Sequence, residues 1–183
     1  MNAANSATLL GVALDLKSFI AEVPDFPKPG ISFKDPTPLL ASPEAFGQAI
    51  AGLADWYKAA GVTAVVAAEA RGFLYGGALA RALGAGLIPV RKPKKLPRAT
   101  VSATYQLEYG TDELHMHRDA ITPGQQVLIF DDVLATGGTA AAMAELVRAL
   151  KGTIVSAAFL IELSFLKGRE KLAPLDVRSL VTY

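Results

Sequence analysis

The chain has 183 residues, 51% of them hydrophobic, which is enough for a buried core in one domain of ordinary size, and a single domain over residues 1–183 is expected. Its 18 Lys and Arg against 17 Asp and Glu leave a formal charge of +1, which argues against nucleic acid or an acidic membrane as partner and makes any basic site local. The absence of cysteine excludes disulfides, thiolate zinc sites and a cysteine nucleophile, and fits a reducing, cytoplasmic compartment.

The opening MNAANSATLLGVALDLKSFIAEV has no basic leader, and Asp15 and Lys17 interrupt its apolar residues. Nothing later approaches a membrane-spanning run, so a soluble, unprocessed chain is expected. Leu9, Ala13, Leu16, Ile20 and Val23 recur at helical spacing and predict an amphipathic helix ending before Pro24. The stretch PDFPKPGISFKDPTPLL holds five of the eleven prolines, so it continues neither a helix nor a central strand and reads as an ordered loop or linker. Phe46, Ile50, Leu53 and Tyr57 predict a second helix. The apolar run Val62 to Ala68 then suits a buried parallel strand.

A Gly- and Ala-rich helix from about Phe73 to Leu83 and strands at Leu87 to Val90 and Val127 to Phe130 follow. Met143, Leu146, Val147 and Leu150 mark another helix, and Ile154 to Ile161 another strand. The alternation predicts an α/β domain with a mainly parallel sheet flanked by helices. Residues 92–122 break the pattern with a polar excursion, TYQLEYG at its centre, that reads as an extended hairpin and a candidate lid. His115 and His117 alternate along it, a spacing that suits a metal, but solvent exposure is the expectation. Repeats and low-complexity segments are absent.

Chemistry concentrates in VLIFDDVLATGGT, Val127 to Thr139. In open α/β sheets ligands bind beyond the carboxyl ends of strands, where Asp131 and Asp132 are expected. Small residues and two glycines at Ala135, Thr136, Gly137 and Gly138 let the backbone approach a phosphate, and Thr139 opens a helix whose N-terminus favours anions. There is no Walker lysine and no GxGxxG, so a monophosphate fits better than a nucleoside triphosphate or a dinucleotide. The adjacent carboxylates are suited to accept hydrogen bonds from vicinal ribose hydroxyls. On spacing alone, the alternative is that the acidic pair closes a strand and the glycines turn the chain.

The segment resembles the motif of type I phosphoribosyltransferases, in which two acidic residues precede a Thr-Gly-Gly-Thr loop. Further segments, covering most of the chain from Val23 on, resemble the adenine phosphoribosyltransferase family. PDFPKPGISFKD is similar to its purine-binding hood, approximately residues 1–40, which implies Phe33 as a stacking face and Ser32 and Lys34 at the base edge. Ser32 departs from the family pattern, which carries an aliphatic side chain there. In AEARGFLYGGALA the resemblance implies that Arg71 binds the pyrophosphate of phosphoribosyl pyrophosphate (PRPP), as a planar guanidinium fork suits a polyanion. VRKPKKLPRATVSATYQLEYG carries five cations within eight positions, and similarity assigns Arg91 and Lys95 to the diphosphate, leaving Lys92, Lys94 and Arg98 open. Glu108 matches the family's catalytic-loop carboxylate and Tyr109 an aromatic that helps close the lid. FLIELSFLKGREKL is also similar, with Glu162 and Arg169 read as structural.

The family resemblance implies transfer of phosphoribose from PRPP to adenine, giving AMP and pyrophosphate, with magnesium (Mg2+) brought by PRPP and a homodimeric enzyme. A 6-oxopurine phosphoribosyltransferase would share the sugar-phosphate half and differ only at the hood. A regulatory protein sensing PRPP on the same fold is disfavoured by the lack of a basic surplus or an appended DNA-binding segment.

Overall fold

A computed structural model describes residues 13–106 and 111–183, in two compact units, one up to Gln48 and one from Ala49 to Tyr183. In the first unit, Asp15 caps a 3-10 helix, Leu16–Phe19, by accepting from the Lys17 N–H at 3.0 Å. Strand β1 (Ala21–Val23) then pairs antiparallel with β2 (Phe33–Asp35), Val23 opposite Phe33 and Glu22 opposite Lys34. The helix expected to run to Val23 is therefore replaced, over its described part, by one 3-10 turn and a strand. Pro24 holds Val23 extended, and the Glu22–Lys34 cross-strand pair favours the hairpin. The proline-rich stretch likewise holds a strand. Helix α1 (Thr37–Ala41) follows, then α2 (Pro43–Asp55), which carries the chain into the second unit.

The second unit is built on a five-stranded parallel sheet, ordered β4-β3-β7-β8-β9. Its strands are β3 (Ala64–Ala68), β4 (Gly86–Val90), β7 (Gln126–Leu134), β8 (Thr153–Glu162) and β9 (Val177–Thr182). Every residue of β3 is buried, as a central parallel strand covered on both faces requires. Helix α3 (Arg71–Leu83) connects β3 to β4. Gly76 lets it lie close to the sheet, because a methyl there would sit 2.9 Å from the Ala67 Cβ. Helix α4 (Gly138–Ala149) connects β7 to β8 and buries Met143, Leu146 and Val147 against Val66, Ile129 and Phe159.

Between β4 and β7 the excursion is a hairpin of β5 (Thr100–Gln106) and β6 (Thr111–His117). Ala103, Leu114 and Met116 belong to the main core, so the described part of this segment is anchored rather than free. Because β4 lies on one side of β3 and β7 on the other, the chain changes direction between β3 and β7, and the carboxyl ends of these two strands form the crevice where such sheets bind ligands. No helix among the described residues is long and apolar enough to cross a membrane.

Candidate active site

Strand β7 does not stop at Phe130. Pairing with β8 carries it through Asp131, opposite Phe159, to Leu134, opposite Glu162, so the acidic pair lies inside the strand rather than after it. Strand alternation sends the two side chains to opposite faces. Asp131 lines a recess of about 280 Å³ together with Ala135 to Thr139, whereas Asp132 is 6% exposed and pairs with the Arg71 guanidinium. The Asp132 N–H donates to Asp131 Oδ1 at 3.0 Å. Although part of Asp131 opens to the recess, burial of its carboxyl, reinforced by the Asp132 charge, pushes it well above the usual carboxylate range.

The floor of the recess is the start of α4. Helix formation begins at Gly138, one residue before the expected Thr139, and Gly137 occupies the N-cap with φ +79 and no side-chain cap. The first N–H groups of the helix are thus left for a ligand, an arrangement suited to a phosphate.

Arg71 opens α3 directly after a cis Glu69–Ala70 peptide, at the end of β3. Gly72 allows α3 to approach the acidic pair, since a Cβ there would stand 2.8 Å from Asp131 Oδ1. Arg91 follows β4 and donates through Nε (2.9 Å) and Nη2 (2.8 Å) to Glu69 Oε2, while its Nη1 reaches the Lys95 carbonyl at 3.3 Å. Glu69 Oε1 accepts the Lys92 N–H at 2.6 Å. Burial raises the Glu69 pKa, but the Lys92 N–H, the Arg91 guanidinium and the Lys95 charge outweigh it and leave the carboxyl below its ordinary value. Lys92 Nζ pairs with Asp112 and meets Tyr105 Oη at 3.2 Å, tying the hairpin to the segment after β4.

The structure therefore gathers Arg71, Asp131, Asp132 and residues 135–139 around the ends of β3 and β7, and links Arg91 and Lys95 to Glu69 at the end of β3. Glu69 was not singled out in the sequence; its one signal there was a carboxylate two residues before Arg71 at a strand end. Glu108 and Tyr109 lie outside the described residues.

In the first unit Phe33 meets Phe26 edge to face, with centroids 5.3 Å apart. Ser32 and Lys34 converge on Glu22, which Lys34 first and Ser32 second hold below the usual carboxylate range. The two histidines are not solvent-exposed. His115 Nδ1 lies 2.9 Å from Thr100 Oγ1, and His117 is 9% exposed with no partner at Nδ1 among the described residues. Burial increases along β6 towards His117 on both faces, with His115 half-buried, which is why alternation did not sort them. Among the described residues no group of three or more His, Asp or Glu is placed to hold a metal ion by itself.

Residues 39–179 match the phosphoribosyl transferase domain family. Adenine phosphoribosyltransferase of Thermotoga maritima is 56% identical over 170 residues, covering 93% of this chain and 98% of the relative. That of Solibacter usitatus is 58% identical over 169 residues, 92% of this chain and 98% of its own. The crystal structure of the Thermoanaerobacter pseudethanolicus adenine phosphoribosyltransferase superposes with a TM-score of 0.90 at 52% identity, covering 92% of this chain and 98% of that one. The Saccharomyces cerevisiae enzyme, crystallised with an imino-altritol bisphosphate and adenine, superposes with a TM-score of 0.83 at 42% identity, covering 88% and 94%.

Proposed function

The chain belongs to the adenine phosphoribosyltransferase family, and from that premise and the geometry of the site we infer that it transfers phosphoribose from PRPP to adenine, releasing AMP and pyrophosphate. The observation that carries this reading is the recess in which Asp131 faces the uncapped N-terminus of α4, with arginines at the ends of the flanking strands. The segment up to about residue 40 then serves as the hood.

The α4 N–H groups and Thr136 and Thr139 hold the 5-phosphate, and Asp131 accepts from the ribose hydroxyls. Arg71, Arg91 and Lys95 bind the diphosphate and stabilise the charge it gains as the bond to ribose C1 breaks. This requires Arg71 and Arg91 to share or exchange their carboxylate partners, Asp132 and Glu69, for diphosphate oxygens. Adenine attacks C1 through N9, and Asp131 and Asp132 favour the cationic ribose that develops. Phe33 stacks on the base, with Ser32 and Lys34 at its edge. Among the described residues the carboxylates form no complete protein cage, which fits a hard cation that keeps water ligands and arrives with the substrate. When bound, Mg2+ supplies charge that neutralises the diphosphate.

Glu108 takes the proton lost by adenine or holds the reactive tautomer, while Tyr109 helps close the site. Glu108→Gln is therefore expected to lower kcat by roughly a hundredfold with little change in adenine binding. Near wild-type turnover would remove Glu108 from acid-base chemistry.

A base panel with PRPP and Mg2+ tests the acceptor. AMP formation from adenine, with no nucleotide from hypoxanthine or xanthine, is expected. Product from the 6-oxopurines, for which the polar Ser32 at the base edge is the specific pointer, would shift the assignment to that class. Binding of PRPP without turnover on any base would leave only a sensor. We propose that the enzyme works in the cytoplasm as a homodimer. In support of the dimer, Leu74 on α3 and Leu87 on edge strand β4 are 50% and 38% exposed. A solution mass of one chain, 19.2 kDa, would exclude that assembly.

A further inference from the structure

The wall of the phosphate loop comes from a distant part of the chain. After β8 the backbone makes two short 3-10 helices, Ser164–Leu166 and Gly168–Leu172, joined at Lys167 in the left-handed region with φ 53. This turn lies backbone to backbone on the loop between β7 and α4. A Cβ built on Gly137 would stand 2.4 Å from the Gly168 carbonyl oxygen. A Cβ built on Gly168 would stand 2.3 Å from the Ala135 carbonyl oxygen, 3.1 Å from the Gly137 nitrogen and 2.9 Å from Leu134 Cδ1. Gly168 itself has no positive φ, so what requires glycine there is contact, not backbone freedom.

The residue after Gly168 ties the turn to the sheet. Arg169 donates through Nε and Nη2 to the two oxygens of Glu162, both at 2.6 Å, and through Nη1 to the Val177 carbonyl at 2.6 Å. Glu162, 5% exposed at the end of β8, also accepts from Ser179 Oγ at 2.8 Å. Its neighbour across the ladder is Leu134, the last residue of β7 before the loop, and the Leu163 N–H donates to the Leu134 carbonyl at 2.9 Å. The fork therefore fixes the turn against the same strand end from which the phosphate loop departs.

We propose that Gly168 and Arg169 are positioning residues for the sugar-phosphate cradle: Gly168 is the wall against which Ala135 to Gly137 are shaped, and the Arg169–Glu162 fork holds that wall. Neither touches substrate. The inference rests on reading the recess as the site of the 5-phosphate. A displacement of the loop by a fraction of an ångström misaims the α4 N–H groups, and misplacements of about 1 Å at such sites cost up to roughly a hundredfold.

The test is calorimetric binding of ribose 5-phosphate, which reads the cradle, beside pyrophosphate, which reads the arginines, well below the melting temperature of each protein. Gly168→Ala is expected to weaken ribose 5-phosphate by about tenfold or more and leave pyrophosphate within about twofold. Arg169→Lys, which keeps the charge and loses the fork, is expected to weaken ribose 5-phosphate by about threefold to tenfold with the same selectivity. If Gly168→Ala does not fold, Arg169→Lys decides on the same readout. Wild-type ribose 5-phosphate affinity in a folded variant, or equal losses for both ligands, overturns the proposal. A wild-type chain that binds no ribose 5-phosphate overturns the reading of the recess, and the proposal with it.

Discussion

Asp131→Asn is expected to lower kcat/KM for PRPP by about a thousandfold and, in the same protein, to raise the stability of the free chain at neutral pH. Both effects follow from one position. Asp131 sits inside β7, where burial and then the Asp132 charge raise its pKa, against the opposing influence of the Asp132 N–H and the Arg71 charge. Amide for carboxylate keeps the acceptor for the Asp132 N–H at 3.0 Å but removes the charge that the ribose hydroxyls and the cationic ribose would meet.

A carboxyl whose folded pKa lies above its unfolded value binds its proton more tightly in the native state. The stability this contributes is present below the unfolded value, 3.8, and is lost as pH rises through the folded one. The wild type therefore loses stability as pH rises above 3.8, while the amide carries no such penalty. The expected gain is of the order of 1 kcal/mol, or roughly 2–4 °C in Tm, and it shrinks as pH falls towards 3.8. Asp132→Asn should go the other way, because Asp132 is 6% exposed and partners Arg71. Thermal melts at about pH 4 and about pH 7.5, with PRPP-dependent kinetics, check this. A stability gain of equal size at both pH values, or near wild-type kcat/KM, would refute it.

The central sheet was legible because its strands are nearly continuous apolar runs, which parallel strands covered on both faces must be. What escaped was pairing whose evidence lies elsewhere in the chain. The apolar run of β7 ends at Phe130, but its ladder continues because β8 supplies partners as far as Glu162. Strand β9, VRSLVT, mixes polar and apolar residues and becomes a strand by lying beside β8. The described part of the segment before Pro24 shows the converse: helical spacing over a short apolar segment also accommodates a strand once Phe33 and Lys34 stand opposite. At the candidate site, the strand-to-helix turn was readable because its signal is local, with small residues between an apolar strand and a helix. The carboxylate partners of the cations were not. Glu69 and Arg91 are 22 positions apart and meet only because β3 and β4 are neighbours, and the contact of Gly168 with Gly137 depends on where the chain returns after β8.

Gly137→Ala is expected to be the most damaging single methyl in the cradle. Two costs coincide at that position. The backbone is left-handed, φ +79, which an L side chain adopts at a cost of about 1 kcal/mol. The added Cβ would also stand 2.4 Å from the Gly168 carbonyl oxygen and 3.1 Å from its carbon, backbone atoms that cannot rotate away as a side chain can. Relief requires either the α4 N-terminus or the Gly168 turn to move, and the Arg169 fork holds the latter. The expected loss is about 2–4 kcal/mol of stability, roughly 5–15 °C in Tm, with kcat/KM for PRPP down by about a thousandfold. Gly124 separates the two costs, since it has a similar φ of +81 but nothing within 4 Å of an added Cβ. Gly124→Ala should therefore show the backbone cost alone, about 1 kcal/mol, with activity unchanged. If the two alanine variants lose equal stability and keep equal affinity for ribose 5-phosphate, backbone conformation accounts for both glycines, and the close approach of the two loops contributes nothing to the cradle.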